Sequence, residues 1–217
     1  MRISKEELMH LTETQIEFFG GGGTIVDYIV PTLKRLEKCF SKVTNKYYHD
    51  LETGEVLFSP YQSAQYAQFL YYLSREAFLK KDFDVAEKVY YLNKMLNNVD
   101  WFYEVELPTI FFADHPLGSV MGRAHYSDRF VISQGCTVGN NHGFYPSIGE
   151  NVTMHLMSTI SGKSNIGKNV EISAYTFIRD EIVPDNCIVF GMSPNLIIVQ
   201  KSEQEMKNRL TQFYYED

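Results

Sequence analysis

Two hexapeptides decide how this chain is read: Ile148-Gly149-Glu150-Asn151-Val152-Thr153 and, further along, Ile166-Gly167-Lys168-Asn169-Val170-Glu171. Between and beyond them, apolar residues return at every sixth position, at Met154, Ile160, Ile172 and Ile178. Upstream the same period holds at Val120, Tyr126, Ile132 and Val138, and four extra residues interrupt it before Ile148. A second inward position, four residues on, is small or β-branched at Ala124, Cys136, Val152, Ser158, Ser164, Val170 and Thr176. A short fixed period marks a solenoid, and hexapeptides specify a parallel β-helix. Six residues supply one short strand and one turn. Three such sides close a triangular coil, and coils stack at the ordinary strand spacing of about 4.8 Å. The aliphatic side chain fills the prism, the small one fits its corner, and Gly or Asn takes the turn conformations that other residues resist.

Working outward, the first hundred residues have a different period. Residues 5 to 19 carry apolar side chains at helical spacing, and Ser4 with Glu7 has the form of a capping box. Gly20 to Gly23 stop that helix; the run lacks the Gly-Lys-Ser/Thr ending of a phosphate loop and reads as a hinge. A second helix is expected over Tyr28 to Phe40, with Pro31 in its first turn. A turn-rich connection over 44–58 leads to helical patterns at Ser63 to Lys80 and Val85 to Asn97, the latter capped by Asp82 or Asp84. After the repeats, Cys187 to Gly191 reads as a last strand, and Ser202 to Tyr215 as a short helix that caps the open end of the stack. The fold class expected is therefore α+β: a helical domain over 1–107, a parallel β-helix over 108–200, and a C-terminal helix and tail over 201–217.

Composition narrows the function. Among 217 residues, 20 Lys plus Arg face 27 Asp plus Glu, for a formal charge of −7. That balance argues against nucleic-acid binding, which needs a cationic face. No stretch approaches the roughly 18 to 20 apolar residues that span a bilayer, and the charged start Met1-Arg2-Ile3-Ser4-Lys5 lacks the apolar run of a signal peptide. Cys39, Cys136 and Cys187 form no CxxC pair, so free thiols are expected rather than disulfides or a zinc cage. A cytoplasmic protein is the expectation.

The run Asp114-His115-Pro116-Leu117-Gly118-Ser119-Val120-Met121-Gly122, followed by Gln134-Gly135-Cys136-Thr137-Val138-Gly139, carries a further signal. It resembles the serine acetyltransferase branch of the hexapeptide acyltransferases, which carries Asp-His-x-x-Gly-x-Val-x-Gly and then Gln-x-x-Thr-aliphatic-Gly. The resemblance covers the C-terminal half and, more weakly, the helices before it. It implies a left-handed β-helix, a homotrimer with active sites in the clefts between prisms, and acetyl transfer from acetyl-CoA with no metal. His115 sits where that family has its general base, a role that suits imidazole because it titrates near working pH. The family's orienting carboxylate, fifteen residues upstream of the base, lands on Asp100, with Glu104 and Glu106 as substitutes. Asp114 matches a position that helps hold the acceptor. The bland alternative makes Asp114-His115-Pro116 an ordinary turn with a structural histidine.

For CoA, the matching positions are Gly139, Asn140, Leu156, Ser158 and Ala174, with Phe190 to Pro194 bordering the adenine and Lys201 meeting the 3′-phosphate. His142 lies in the insertion Asn140 to Pro146, which must loop out of the prism and, by the resemblance, overhangs the active site. His125 and His155 read as outward coil residues without a direct role. A zinc site of the kind some hexapeptide proteins carry needs closely paired histidines, which His115, His125, His142 and His155 do not form. A non-catalytic trimeric scaffold is the alternative from a different class.

One departure bears on the acceptor. Where serine acetyltransferases have Arg-His-Pro, this chain has Phe144-Tyr145-Pro146. The guanidinium that would fork onto a carboxylate is gone, and an aromatic pair suits a sugar, which lays an apolar face on Phe144 while Tyr145 bonds a hydroxyl. A carbohydrate acceptor is therefore expected over free serine, unless Arg123 or Arg129 replaces the lost cation.

Overall fold

Side-chain periodicity switches from helical to strand-like near residue 100, and the chain divides there. The computed structural model describes residues 3–50 and 52–215. Met1–Ser41 with Asn45–Glu104 form one unit, and Lys42–Thr44 with Val105–Asp217 form the other.

The first unit is helical. Helix α1 spans Lys5–Gly20 and starts with the capping box, in which Ser4 Oγ accepts from the Glu7 N–H and the Glu7 carboxylate accepts from the Ser4 N–H. Gly21, at φ 81°, ends it in the left-handed conformation that suits glycine. The glycine run is tied down by Glu13, whose Oε1 accepts from Thr24 Oγ1 at 3.0 Å and from the Ile25 N–H at 2.9 Å. Helix α2 spans Val26–Phe40, so Pro31 lies inside the helix and not in its first turn. Proline leaves the carbonyl four residues earlier without its helical donor. Here that carbonyl, of Asp27, accepts from Lys80 Nζ at 2.8 Å. Helix α3, Ser63–Leu79, is buried on nearly every side by Tyr66, Phe69, Leu70, Tyr71, Tyr72 and Leu73, which makes it the centre of the unit. Helix α4, Phe83–Asn97, is capped by Asp82, whose side chain accepts from the Val85 N–H.

The second unit is a parallel β-helix with three columns of strands. The first column stacks Phe111–Ala113, Phe130–Ile132, Val152–Met154, Val170–Ile172 and the start of Cys187–Met192 in parallel register. A second stacks Val120–Met121, Thr137–Gly139, Thr159–Ser161 and Phe177–Arg179. The third stacks His125–Tyr126, Ser147–Ile148, Asn165–Ile166 and Ile182–Val183. The hexapeptide residues Ile148, Met154, Ile160, Ile166, Ile172 and Ile178 all point inward and are buried, as are Cys136, Ser158, Ser164 and Thr176 at the corners.

The inward position of the first coil is corrected by one residue. Val120 is 38% exposed, whereas Met121 is buried and pairs with Val138. The reason is a longer corner: Asp114 to Ser119 inserts more chain between Ala113 and Met121 than later coils use, and His115 rides on that excess.

The corner between the third and first columns carries an asparagine ladder. Asn151, Asn169 and Asn186 all have φ of 54–58°. Asn151 Nδ2 donates to Asn169 Oδ1 at 3.0 Å, and Asn169 Nδ2 donates to Asn186 Oδ1 at 2.8 Å. Asparagine tolerates the left-handed conformation, and its amide can bond the coil above and below.

The C-terminal segment differs from expectation. The last strand is the first arm of an antiparallel hairpin, Cys187–Met192 with Asn195–Gln200, turning at Ser193-Pro194. Helix α5, Glu203–Leu210, does not cap the end of the stack; it lies on the outer surface of the first column. Outward-pointing Thr153, Glu171 and Ile188 are buried there, along with Met206 and Tyr214. Tyr214 Oη donates to the Phe130 carbonyl at 2.7 Å, and the Phe213 ring lies 6.0 Å from that of Phe112. Lys42–Thr44 joins this unit because Thr44 N–H donates to the Phe213 carbonyl and Tyr215 N–H to that of Lys42. No helix among the described residues is long and apolar enough to cross a membrane.

An ion cluster fastens α5. Arg209 forks onto Glu171 with Nε to Oε2 at 2.6 Å and Nη2 to Oε1 at 2.9 Å, while His155 Nε2 lies 3.1 Å from Oε1. Burial acts to raise the Glu171 carboxyl, but the hydrogen bonds of His155 and Arg209 and their charges outweigh it, holding the group at about 2 against an ordinary 4.5. A depressed carboxyl adds stability that is present above its unfolded value and is lost as pH falls toward the folded one. Protection of α5 and the 211–215 tail in hydrogen exchange is therefore expected to fall between about pH 4.5 and pH 2. In Glu171→Gln that protection should be weak already at neutral pH, with little further loss on acidification.

Candidate active site

His115 sits on the long corner between the first two columns. Its backbone is left-handed, φ 49°, and its ring is 83% exposed. The turn is closed by the Leu117 N–H donating to the His115 carbonyl at 2.8 Å and the Ser119 N–H donating to that of Pro116 at 3.0 Å. Gly118, at φ 72°, brings this turn down onto the Cα of Gly135 in the next coil. The Asp114 N–H stays in the ladder with the Ile132 carbonyl, and its carboxylate reaches only to 3.9 Å of His115 Nε2. The imidazole is thus presented outward, open to a ligand.

Asp100 lies in the helical unit, where both oxygens are engaged: Oδ1 accepts from Tyr90 Oη and Oδ2 from Lys94 Nζ, each at 2.7 Å. Burial works to raise this carboxyl, yet the Lys94 and Tyr90 bonds prevail and lower it. Glu104 and Glu106 are exposed.

Below the histidine corner the same edge continues through Gln134-Gly135, Leu156-Met157 and Ala174-Tyr175. The coils are joined by Gly135 N–H to the Leu117 carbonyl, Met157 N–H to that of Gln134, and Tyr175 N–H to that of Leu156, at 2.8–3.0 Å. His115, Leu156 and Ala174 therefore share one edge of the prism. Ser158 does not face outward: it is fully buried, its Oγ 3.5 Å from Cys136 Sγ. Lys201 pairs with Glu205 at 3.6 Å.

The insertion occupies a different corner, between the second and third columns. Gly139 ends a strand there, Asn140 is exposed, and Asn141 and Phe144 exchange N–H···O bonds of 3.1 and 3.0 Å across a two-residue turn. The turn residues are His142 at φ 49° and Gly143 at φ 83°, the pair of left-handed conformations that tight hairpins require. Phe144 and Tyr145 stand exposed beside it. Asp180 clasps the base of the loop, accepting from Asn141 Nδ2 and from the Lys163 N–H, each at 2.7 Å. The Lys163 N–H is the main reason its carboxyl is lowered. Gly162 has no room for a side chain, since a Cβ would collide with Asp180 and Asn141. The clasp leaves the Lys163 ammonium 5.9 Å from the centre of the Phe144 ring. Sequence reasoning missed Lys163 and Asp180, because neither lies in the motif and only coil stacking brings them to the loop.

Of the remaining histidines, His125 is exposed on the third column, whereas His155 belongs to the ion cluster under α5 and not to the open coil surface. Among the described residues, no three His, Cys, Asp or Glu side chains are grouped as metal ligands.

The stacked hexapeptide coils, the histidine corner and the insertion loop define the class: a parallel β-helix built of hexapeptide repeats. In sequence and in fold the chain is similar to serine acetyltransferases. It is 30% identical over 112 residues to the serine acetyltransferase of Synechococcus elongatus, a match covering 49% of this chain and 46% of that protein. The matched part thus spans about half the length of the curated relative. The crystal structure of serine acetyltransferase from Brucella abortus superposes with a TM-score of 0.70 at 18% identity, covering 91% of this chain and 84% of that one. A serine acetyltransferase solved in complex with cysteine gives 0.73 at 16%, covering 94% and 82%. No family model matches the chain.

Asp180→Ala should free the loop base without touching the prism interior. Hydrogen exchange at Asn141 and Phe144 is expected to accelerate, while the amides of Val138 and Ile160 keep their protection.

Proposed function

We propose that this protein is an acetyl-CoA-dependent O-acetyltransferase of the serine acetyltransferase type, with His115 as its general base. The observation that carries the reading is the histidine corner: an exposed imidazole on a turn that heads an edge containing Leu156 and Ala174. The exposed apolar side chains along that edge suit the pantetheine arm. The acceptor hydroxyl loses its proton to His115 as its oxygen attacks the thioester carbonyl. Collapse of the tetrahedral intermediate breaks the C–S bond, and the imidazolium returns the proton to the leaving thiolate. Asp114 is the carboxylate proposed to help hold the acceptor.

The acceptor reading shifts from a sugar toward serine. The similar proteins are serine acetyltransferases, and one from Neisseria gonorrhoeae is solved in complex with serine. Arg129 lies on the asparagine-ladder corner, away from the loop, so it is a poor replacement for the missing guanidinium. Lys163 is better placed, beside Phe144 and held by Asp180, and we assign it to the acceptor carboxylate. The exposed pair Phe144 and Tyr145 is what keeps a carbohydrate acceptor as the second reading. Free CoA release with L-serine, against a panel of sugars and sugar nucleotides, tests the choice; saturable turnover with serine and none with sugars is expected.

We propose a homotrimer, and the same geometry supports it. His115 and the Phe144 loop stand at opposite edges of the second column, so one prism does not bring them into one site. A three-fold assembly sets one chain's histidine edge against its neighbour's loop. Solution mass should correspond to three chains, and co-refolding His115→Asn with Lys163→Glu should recover part of the activity each lacks alone. His115→Asn by itself should bind acetyl-CoA like the parent, with turnover reduced about 10²- to 10⁴-fold. Parental turnover in that variant would make His115 structural.

A further inference from the structure

The C-terminal hairpin leaves one sheet edge open. Strand Asn195–Gln200 pairs with Cys187–Met192 on one side, and among the described residues no strand pairs with its other side. Natural sheet edges are ordinarily protected by charge, proline or a covering element. Here residues 187–200 contain no charged side chain, in a chain that is 22% charged, and the edge strand itself contains no proline. Its outer face is apolar as well. Ile197 lies opposite Phe190 and Val199 opposite Ile188, so these side chains share one face. On that face Ile197, Phe190 and Val199 are 62%, 40% and 38% exposed.

The open backbone groups fit a second copy of the same edge. The Lys201 N–H donates to the Asn186 carbonyl at 2.9 Å, and bonded pairs alternate along an antiparallel ladder. Asn195, Ile197 and Val199 thus bond to Cys187–Met192, and Leu196, Ile198 and Gln200 aim their N–H and C=O groups at the open edge. A two-fold axis through Ile198 sets Ile198 against its own copy and Leu196 against the copy's Gln200, so each of these donors meets an acceptor. An axis through Ile197 instead sets Gln200 against Pro194, which has no N–H to give. A foreign strand added here moves the open edge outward by one strand, whereas pairing of two identical edges removes both at once.

We infer that this hairpin is a self-association surface, through which two copies join edge to edge into one continuous antiparallel sheet. The contact is confined to one strand and the apolar face beside it, so it forms reversibly with concentration. It doubles whatever assembly the chain otherwise adopts: on the trimer reading, three chains are the dilute form and six the concentrated one. It does not depend on the acetyltransferase reading.

Sedimentation equilibrium of the full chain from about 1 μM to about 1 mM covers the range in which such a contact fills. The parental mass is expected to double across that range. In this register Ile197 of one copy lies opposite Val199 of the other. Ile197→Glu and Val199→Lys should therefore each hold the mass at its dilute value, with a parental thermal midpoint showing that the fold is kept. Mixing the two variants should restore the doubling, because the opposite charges then face each other across the new pair. A parental mass that stays constant, doubling that survives in both variants, or a mixture that fails to recover it would overturn the inference.

Discussion

Each coil of the solenoid must turn three corners and still return in register with its neighbour, as Val152 does beneath Val170 and Val170 beneath Cys187. Everything else in the second unit depends on meeting that constraint. A turn this tight needs left-handed residues, and the three corners meet the need differently. One uses asparagines whose amides bond from coil to coil. Another uses Gly162 and Asp180, packed so closely that a Cβ at Gly162 has no space. The third uses glycines near His115 and then Met157 and Tyr175. Only the first two are explained by the backbone.

Corner irregularities are also where chemistry can be placed. A regular hexapeptide corner leaves little chain to spare, since its residues are committed to the ladder or the interior. The additional residues of Asp114 to Ser119 lift His115 into solvent. The insertion at Asn140 to Pro146 builds a hairpin turn that carries Phe144 and Tyr145. The rigid coils then fix both features relative to each other, at two different edges of one prism.

The C-terminal segment determines which surfaces remain. Helix α5 and the tail cover the first column, with Met206 and Tyr214 buried against it and Arg209 held by Glu171. The second column stays open and is flanked by the histidine edge on one side and the loop on the other. An assembly in which copies meet along this face is the proposed one. The chain's own tail keeps the first column from serving in the same way.

Much of this was legible in the residues. The six-residue period located the prism interior from Tyr126 to Ile178, because an inward side chain must be apolar whatever lies outside it. The capping box at Ser4 and the cap at Asp82 located helix starts, because those hydrogen bonds are local. Motif matching brought out His115, and the break in the six-residue period brought out the insertion. The sequence alone did not reveal what depends on residues distant in the chain. Val120 was misplaced because the length of the His115 corner is set by the coil beneath it. Pro31 is accommodated within a helix where Lys80, the residue that ends α3, serves the carbonyl it frees. Ser158, rightly read as an inward corner residue, was also matched to CoA, yet its side chain is closed off against Cys136. Lys163, Asp180 and the Met157 thioether over Gly135 became visible only when coils were laid one on another. Periodicity is a property of the chain and was read from it; adjacency between coils is a property of the stack, and only the tertiary structure decided it.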